Sequence, residues 1–420
     1  MDYRVLLRYF RSPWFTRLIL FLAIMGPGII TSSVDNDAPG ITTYSLAGSQ
    51  FGYILLWTFI PMTVALAVVQ EMGIRMGVVS GKGLASLIRE KARARLTLLI
   101  MMVLIVVDFA NTLAEFSGIS VSGSIFHVPP FIACPLAALF VWILVVKGNY
   151  RSVEKVFLGA SALYVSYIIS GFLAHPNWGV GAVNSVVPQV TASTAFIIML
   201  VGLVGTTIAP WMQFYIQASV VEKRVPLKYL NYSRLDAIAG SVVTNVVAWF
   251  IVVACAATIF VHGIPVNNVA DVSGALAPLA GNYAALLFAF GFLNASLFAA
   301  SILPLSTAHY VCESLGFDAG VSYSFREAPV FHGLYAGIII LATIVISLPN
   351  IPLLSILFLS QVGNGILIPF VLIYMLVIIN DRKIMGDYVN TKTYNYIAWA
   401  TVIIMIGLSI TLLITGFLPT

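Results

Sequence analysis

Residues 31–43 read TSSVDNDAPGITT and directly follow the apolar run LILFLAIMGPGII, residues 18–30. The stretch puts two acids, Asp35 and Asp37, beside a helix-breaking pair, Pro39 and Gly40, within the first long hydrophobic segment. Proline lacks an amide hydrogen and glycine destabilises helix interiors, so the segment is predicted to unwind here. If it spans a bilayer, backbone groups freed at that depth must line a polar cavity, because lipid offers them no partner.

The composition places the chain in a membrane. Of its 420 residues 60% are hydrophobic and 9% charged, and the mean hydropathy is +1.00. Soluble domains carry about 25% charged residues, and this chain has too few polar side chains to cover a soluble globule. Cys134, Cys255 and Cys312 form no CxxC pair and no metal spacing, so they are interpreted as buried apolar residues. The composition therefore predicts a multi-pass membrane protein.

Stretches of bilayer length predict an all-α protein with eleven transmembrane helices in one domain, residues 1–420. The predicted segments are 15–49, 53–74, 96–125, 129–147, 153–173, 194–220, 237–261, 277–311, 331–349, 352–379 and 394–417. We expect two repeats, approximately 15–173 and 194–379, followed by one extra helix. The first segment continues past GPG without a small-residue cleavage site, so it is interpreted as an uncleaved helix.

The basic residues indicate the orientation. With the N-terminus inside, all 21 Lys and Arg residues fall on the cytoplasmic side, and outer connections such as FHVPP carry none. This asymmetry is the positive-inside rule, so the formal charge of +5 reports topology rather than a nucleic-acid partner. We expect a cell-membrane protein with a cytoplasmic N-terminus and an external C-terminus. Glu71 and Arg75, four residues apart, are predicted to pair near the inner boundary.

A second interruption lies in the sixth segment, where VGLVGTTIAPWMQ places Thr206, Thr207 and Pro210 at mid-membrane depth. The sixth segment starts the second half as the first segment starts the first half, but it crosses in the opposite direction. Interrupted helices at matching positions of two inverted halves are the best sequence indication of a midplane substrate site in a secondary transporter. The pattern therefore favours transport.

Five motifs in order carry a family resemblance. They are GPGIITSSVDNDAPGITTYSLAGSQFGY (26–53), QEMGIRMGVVSGKGLA (70–85), LAEFSGIS (113–120), GTTIAP (205–210) and FLSQVGNGILIPF (358–370). Together they resemble the NRAMP divalent-metal transporters over nearly the whole chain, and in particular the NRAMP-related magnesium transporter branch. The resemblance implies a LeuT-type 5+5 inverted-repeat fold with broken helices 1 and 6 and a divalent cation bound between the breaks.

The resemblance also implies a set of substrate-ion ligands. The expected positions are Asp37, Gly40, Thr206, Ala209 and Gln361, with Asp35, Asn364 and Glu115 as possible additions. Gly40 replaces the family's asparagine ligand and Ala209 its methionine. Without the thioether the remaining donors are oxygens, which suit Mg²⁺, and the lost side chains are expected to enlarge the pocket for a partly hydrated ion. Mg²⁺ is therefore the favoured substrate and Mn²⁺ a further one.

Proton coupling is not expected. The family's sixth-helix histidine falls on Ile216 or Gln217, and its third-helix aspartate on Thr112, while Glu115 remains. Near-neutral proton relays commonly use histidine or carboxylates with raised pKa. Glu115, Asp35, Asp108 and Glu71 could still relay protons, so a proton-coupled Mn²⁺/Fe²⁺ transporter stays open as an alternative.

Other functional classes fit less well. No GxGD or HExxH motif indicates a membrane enzyme, and no cofactor is expected because the cation is the substrate. An amino-acid carrier of related fold is a further alternative, although two aspartates beside the helix break would repel a substrate carboxylate. The expected partners are Mg²⁺, Mn²⁺ and the lipid bilayer, with function as a monomer.

Overall fold

The computed structural model describes residues 31, 34–91, 94–147, 161–191, 193–321 and 323–417, and all regular secondary structure in these ranges is helical. Eight of the described helical segments are long and apolar enough to cross a membrane, and they coincide with predicted segments two, three and six to eleven. A shorter apolar helix, Pro130–Val146, coincides with the fourth. Predicted segments 15–49 and 153–173 lie partly outside the described residues, so the full set of eleven stays a prediction.

The helices of the first half are, in chain order, α1 Ala38–Phe51, α2 Phe59–Ser80, α3 Leu84–Lys91, α4 Ala94–Ile125, α5 Pro130–Lys147, α6 Val165–Leu173 and α7 Trp178–Val186. Those of the second half are α8 Thr194–Thr207, α9 Pro210–Glu222, α10 Leu230–Cys255, α11 Ala277–Ala280, α12 Ala284–Leu315, α13 Pro329–Ile346, α14 Leu353–Ile379, α15 Arg382–Met385 and α16 Lys392–Phe417. A π-helical turn, Ala256–Phe260, extends α10.

The first predicted break is present. Val34 and Asp35 are helical, the chain turns at Asn36, and α1 begins at Ala38. Asp37 is extended and caps α1, its Oδ1 accepting a hydrogen bond from the Gly40 amide at 2.7 Å. A side-chain oxygen at this position satisfies one of the free amides of a helix start, and proline in the first turn costs no hydrogen bond. The sequence NDAPG thus ends one helix and starts another.

The second predicted break is also present. Ile208 leaves helical geometry after α8, Ala209 is extended, and α9 begins at Pro210. Because proline cannot donate a hydrogen bond back into α8, the chain restarts as a separate helix. The last carbonyls of α8 therefore end the helix without intrahelical partners. The residues at both interruptions are buried, namely Asn36, Asp37, Ile208 and Ala209.

Close helix packing brings the two breaks together, because α8 packs on α1. α8 packs along α14, α10 packs on α1 and α2, and α4 packs along α12 and α14. The contact of α8 with α14 is tight at Gly205, where a Cβ would lie 1.9 Å from the Gln361 carbonyl oxygen. Small residues allow such backbone approach, which improves the van der Waals packing that helps helices associate within lipid.

Several predicted boundaries are wrong. α2 continues to Ser80 and α10 begins at Leu230, beyond the predicted segments 53–74 and 237–261, so the helices include Arg75 and Arg234. Gly81 takes a left-handed conformation, φ 64°, and ends α2, and the short α3 then lies between the second and third predicted segments. The apolar pattern underestimated these helices because their inner ends carry charge that is paired. Glu71 bonds Arg75 at 2.9 Å, as predicted, and Arg234 at 2.7 Å.

Candidate functional site

The two breaks meet at Gly40. A Cβ placed there would lie 2.5 Å from the Asp35 carbonyl oxygen, 3.0 Å from Asp37 Oδ1 and 3.2 Å from Thr206 Oγ1. One turn further along α1, the Tyr44 hydroxyl bonds the Thr207 hydroxyl at 3.1 Å. Carboxylate, carbonyl and hydroxyl oxygens from both breaks therefore converge on one point, which brings together the predicted positions Asp37, Gly40 and Thr206.

The tightness at Gly40 corrects one expectation. Absence of the asparagine side chain was expected to enlarge the pocket, yet the Asp35 carbonyl occupies the space that a side chain would enter. Gly40 is required for the close approach of the chain to itself at the break, because a Cβ contact under 3.0 Å with backbone cannot be relieved by a side-chain rotation. The expectation of extra room for a hydrated ion then rests on Ala209 alone, where the family's methionine side chain is missing.

Glu115 joins the site from α4. Its carboxyl group faces that of Asp37, and both side chains are buried. Two carboxylates form a hydrogen bond only when one holds a proton. Neither Glu115 oxygen makes a well-aligned hydrogen bond with a described residue, and the Ala38 amide at the start of α1 lies beside the same carboxyl group. Gly118 allows this approach, since a Cβ there would lie 2.5 Å from the Ala38 Cβ at the start of α1. The pair presents up to two negative charges.

Asp35 and its neighbour Asn36 face α10. Asn36 Nδ2 donates to the Thr244 hydroxyl at 2.8 Å, and the Asp35 carboxyl also lies beside Thr244. Both Asp35 carboxylate oxygens are buried and lack a hydrogen-bond partner within the described part of the chain. Its backbone carbonyl, rather than its side chain, is the group that points toward Gly40. Thr244 was missed by sequence reasoning, although a threonine in the apolar seventh segment was an available signal.

Ala209 offers no side-chain ligand. It is buried in an apolar cluster that also contains Val34, Phe116, Met212 and Phe298. Met212, less than one turn into α9, packs within this cluster, so its thioether is surrounded by hydrocarbon. The polar groups around the second break are therefore the hydroxyls of Thr206 and Thr207, the backbone carbonyls at the end of α8 and the Gln213 amide, whose Nε2 lies 3.5 Å from the Ala209 carbonyl oxygen.

Gln361 and Asn364 belong to a separate polar network. Gln361 Oε1 accepts from Asn364 Nδ2 at 3.0 Å, and Asn364 Oδ1 accepts from Asn111 Nδ2 at 2.8 Å. Asn111 also donates to Asp108 Oδ1 at 3.3 Å. These hydrogen bonds connect the Gln361 side chain to α4 and none connects it to Asp37, Gly40 or Thr206. Asn111 was missed by sequence reasoning, but its spacing from Asp108 and Glu115 on one helix face could have revealed it.

The donor chemistry is dominated by oxygen. Within the described ranges no three His, Cys, Asp or Glu residues form a cluster that could hold a metal ion. The three cysteines are free and buried, as the sequence predicted. Two acids with hydroxyl and carbonyl oxygens form a set suited to hard cations, which commonly keep part of their water shell.

Comparison with known families points in the same direction. A family model described as "Natural resistance-associated macrophage protein-like", Nramp, matches residues 28–415. The chain is 27% identical over 405 residues to the divalent metal cation transporter MntH of Deinococcus radiodurans, covering 92% of this chain and 88% of that protein. It is 23% identical over 407 residues to MntH of Bacillus subtilis, with 94% and 93% covered.

Solved structures share the fold. A manganese transporter of Eremococcus coleocola, bound to an aromatic bis-isothiourea substituted compound, matches with a TM-score of 0.74 and 20% identity over 97% of this chain and 87% of that one. Mhp1, a nucleobase-cation-symport-1 family transporter in a closed conformation with bromovinylhydantoin bound, matches with a TM-score of 0.59 and 12% identity over 93% of both chains. At these identities the likeness concerns the fold alone.

Proposed function

Because the chain belongs to the Nramp family, we propose that it is a secondary transporter that moves divalent metal cations through the membrane by alternating access. We take Mg²⁺ as the favoured ion and Mn²⁺ as a further substrate. The observation that carries the proposal is the convergence of Asp37, Thr206 and the Asp35 carbonyl around Gly40 at two paired helix breaks. Relatives named as divalent metal cation transporters support the substrate class.

Charge supports a divalent rather than an anionic substrate. Asp37 and Glu115 face each other, and two carboxylates in a buried site are stabilised by a cation of charge two. The same arrangement argues against an amino-acid carrier, since the start of α1 is already occupied by carboxyl groups rather than open to a substrate carboxylate. The hard oxygen donors and the apolar surroundings of Met212 favour Mg²⁺ over soft metals.

We further propose that transport is not coupled to protons. The family histidine falls on Ile216 or Gln217, and neither side chain can titrate: Ile216 is apolar, and the Gln217 amide donates to the Lys82 carbonyl at 2.8 Å. The Thr112 hydroxyl bonds the Asp108 carbonyl of its own helix at 3.0 Å. One observation favours the alternative, a proton-coupled Mn²⁺/Fe²⁺ transporter: the facing Asp37 and Glu115 carboxyls could share a proton when no metal is bound.

The inverted repeats 15–173 and 194–379, the cytoplasmic N-terminus, the external C-terminus and function as a monomer are parts of the same proposal. Alternating access would use the two breaks as the fixed centre around which the halves move. In this scheme Gln361 and Asn364 support the helices around the site, and a direct ligand role would require their network to open.

Uptake into proteoliposomes tests the proposal. Purified protein is reconstituted, and internal Mg²⁺, Mn²⁺ and Ca²⁺ are followed with ion-sensitive dyes, with protein-free liposomes as the blank. We expect Mg²⁺ and Mn²⁺ uptake above the blank that saturates with concentration. Isotope-labelled amino acids are offered to the same proteoliposomes, and their uptake without divalent uptake would contradict the assigned class. Mn²⁺ uptake insensitive to excess Mg²⁺ would contradict the preferred ion.

A further inference from the structure

A second buried acid lies away from the helix breaks. Asp108 of α4 is completely buried, and none of the ion pairs among the described residues involves it. It precedes Glu115 by seven residues, which places it two helical turns, about 10 Å, along α4. An ionised carboxylate in such a position is strongly unfavourable unless a cation or a proton neutralises it.

The surroundings of Asp108 are oxygen-rich. Its carboxyl group is faced by the hydroxyls of Thr307 and Tyr310 from α12. The Thr307 hydroxyl donates to the Leu303 carbonyl at 3.1 Å, which leaves its lone pairs available. Asp108 Oδ2 and the Tyr310 hydroxyl are buried, and neither makes a hydrogen bond of acceptable geometry with any described residue. The Tyr310 hydroxyl lies beside both the Asp108 carboxyl and the Thr307 hydroxyl, so a cation bound among these oxygens would take the carboxylate and the hydroxyl lone pairs as ligands, in place of a hydroxyl hydrogen bond to the carboxylate.

The amide network holds this carboxylate in place. Asn111 Nδ2 donates to Asp108 Oδ1, and Asn111 is itself fixed by reciprocal hydrogen bonds with Asn364 at 2.8 and 3.1 Å. On the other side the Tyr310 ring packs on Phe214 of α9, with ring centroids 5.0 Å apart. The site is therefore preformed between α4, α12 and α14 and covered by α9, separately from the convergence at Gly40.

We propose that Asp108, Thr307 and Tyr310 form a second cation site that takes a monovalent metal ion such as Na⁺. The charge of the site indicates which class of ion it binds. A single carboxylate among neutral oxygens is balanced by one positive charge, whereas the facing pair Asp37 and Glu115 suits a divalent ion. The proposal does not depend on the transported substrate.

Thermal unfolding of the purified full-length protein in Na⁺ tests the site. The buffer contains a chelator, so no divalent ion is present, and NaCl replaces choline chloride at constant ionic strength. We expect a saturable rise in the unfolding temperature of the wild type with Na⁺, because an ion that binds only the folded state stabilises it. Asp108→Asn should lose the response, and Tyr310→Phe, which keeps the ring contact with Phe214, should need about tenfold more Na⁺.

Matched variants make the outcome decisive. Asp37→Asn and the partly exposed Asp271→Asn should keep the wild-type Na⁺ response, so a failure of the proposed transport site would leave this result unaffected. No Na⁺ effect in the wild type, or an equal effect in Asp108→Asn and Tyr310→Phe, would overturn the proposal. Stabilisation by acid instead of Na⁺, lost in Asp108→Asn, would also overturn it and show that the carboxyl holds a proton. If Asp108→Asn does not fold, Tyr310→Phe decides alone.

Discussion

Asp37 Oδ1 accepts the Gly40 amide at 2.7 Å, so the side chain proposed to bind the cation also caps the helix that carries it. The charge and the cap are separable, because an asparagine oxygen can replace the cap but carries no charge. This relationship determines how the site can be tested without confusing lost binding with lost structure.

We expect Asp37→Asn to abolish divalent uptake while leaving the thermal stability of the metal-free protein close to that of the wild type. Asp37→Ala should abolish uptake as well and also lose about 1 kcal/mol of stability, the usual cost of a lost N-cap. Uptake assays and thermal unfolding in chelator measure the two effects. Retained Mg²⁺ and Mn²⁺ uptake in Asp37→Asn would exclude the assigned ligand.

The matched control is Asp381→Asn. Asp381 caps α15 in the same way, accepting the Lys383 amide at 2.8 Å, and lies outside the membrane-spanning helices. Its hydrogen bonds with the Lys91 side chain and the Lys383 amide hold the pKa of Asp381 below its usual value. The carboxylate is therefore ionised at neutral pH, and the substitution removes one negative charge. Asp381→Asn should therefore transport normally, which separates the role of position 37 from a general effect of charge.

The sequence was sufficient to predict both breaks, since Pro39 and Pro210 act through local chemistry. The same holds for the Glu71–Arg75 pair, which follows from helical spacing. Contacts across the bundle were not predictable in this way. Arg75 also bonds the carbonyls of Tyr388 and Val389, more than 300 residues away, and Gln361 pairs with Asn364 and Asn111 rather than pointing to the breaks. These contacts depend on the rotation of each helix relative to its neighbours, which the periodicity of apolar residues does not specify.

The close approach of the backbone to itself at Gly40 was not predictable from the sequence for a related reason. The substitution of asparagine by glycine was interpreted as the removal of a side chain, with the backbone assumed to stay in place. In the structure the Asp35 carbonyl occupies the space into which a side chain at Gly40 would project. We expect Gly40→Ala to lose divalent transport with a loss of stability, whereas Gly181→Ala, where a Cβ meets nothing within 4 Å, should behave as wild type. Normal transport by Gly40→Ala would show that the break tolerates displacement.

Packing of α8 on α14 should be equally sensitive to an added methyl group. Gly205→Ala places a methyl group 1.9 Å from the Gln361 carbonyl oxygen, so the two helices must separate. We expect a loss of stability of about 1–3 kcal/mol, typical of overpacked cores, and reduced uptake. Thermal unfolding and uptake measure both, with Gly337→Ala of α13 as the control because its Cβ meets open space. Equal stability of the two variants would mean that α8 shifts freely, and the site geometry would need revision.

Uptake of the metal should leave the internal pH unchanged. If no proton relay accompanies the cation, proteoliposomes loaded with a pH dye should show Mg²⁺ or Mn²⁺ influx without acidification above the protein-free blank, while an electrical potential should drive the influx. A metal-dependent pH change that disappears in Glu115→Gln would instead identify the facing pair with Asp37 as the proton carrier. The alternative of a proton-coupled transporter would then replace the uncoupled one.

Restoring a soft ligand should change the selectivity. Ala209→Met introduces a thioether at the second break without touching Gly40, whose surroundings do not admit an asparagine. Soft donors favour Cd²⁺ over Mg²⁺, and the added volume should remove space for a retained water shell. We therefore expect Cd²⁺ to compete more strongly, and Mg²⁺ less strongly, for Mn²⁺ uptake.

The control for the soft ligand is Ala218→Met in the same helix, nine residues and about 14 Å further along α9. It adds the same buried side chain at a distance from the breaks, so any general effect of overpacking appears in both variants. A change of ion competition shared by the two substitutions, or absent from Ala209→Met, would show that the donor at position 209 does not set selectivity. In that case Thr206 and the carbonyls at the end of α8 remain the groups that discriminate between ions, and their replacement would be the next measurement.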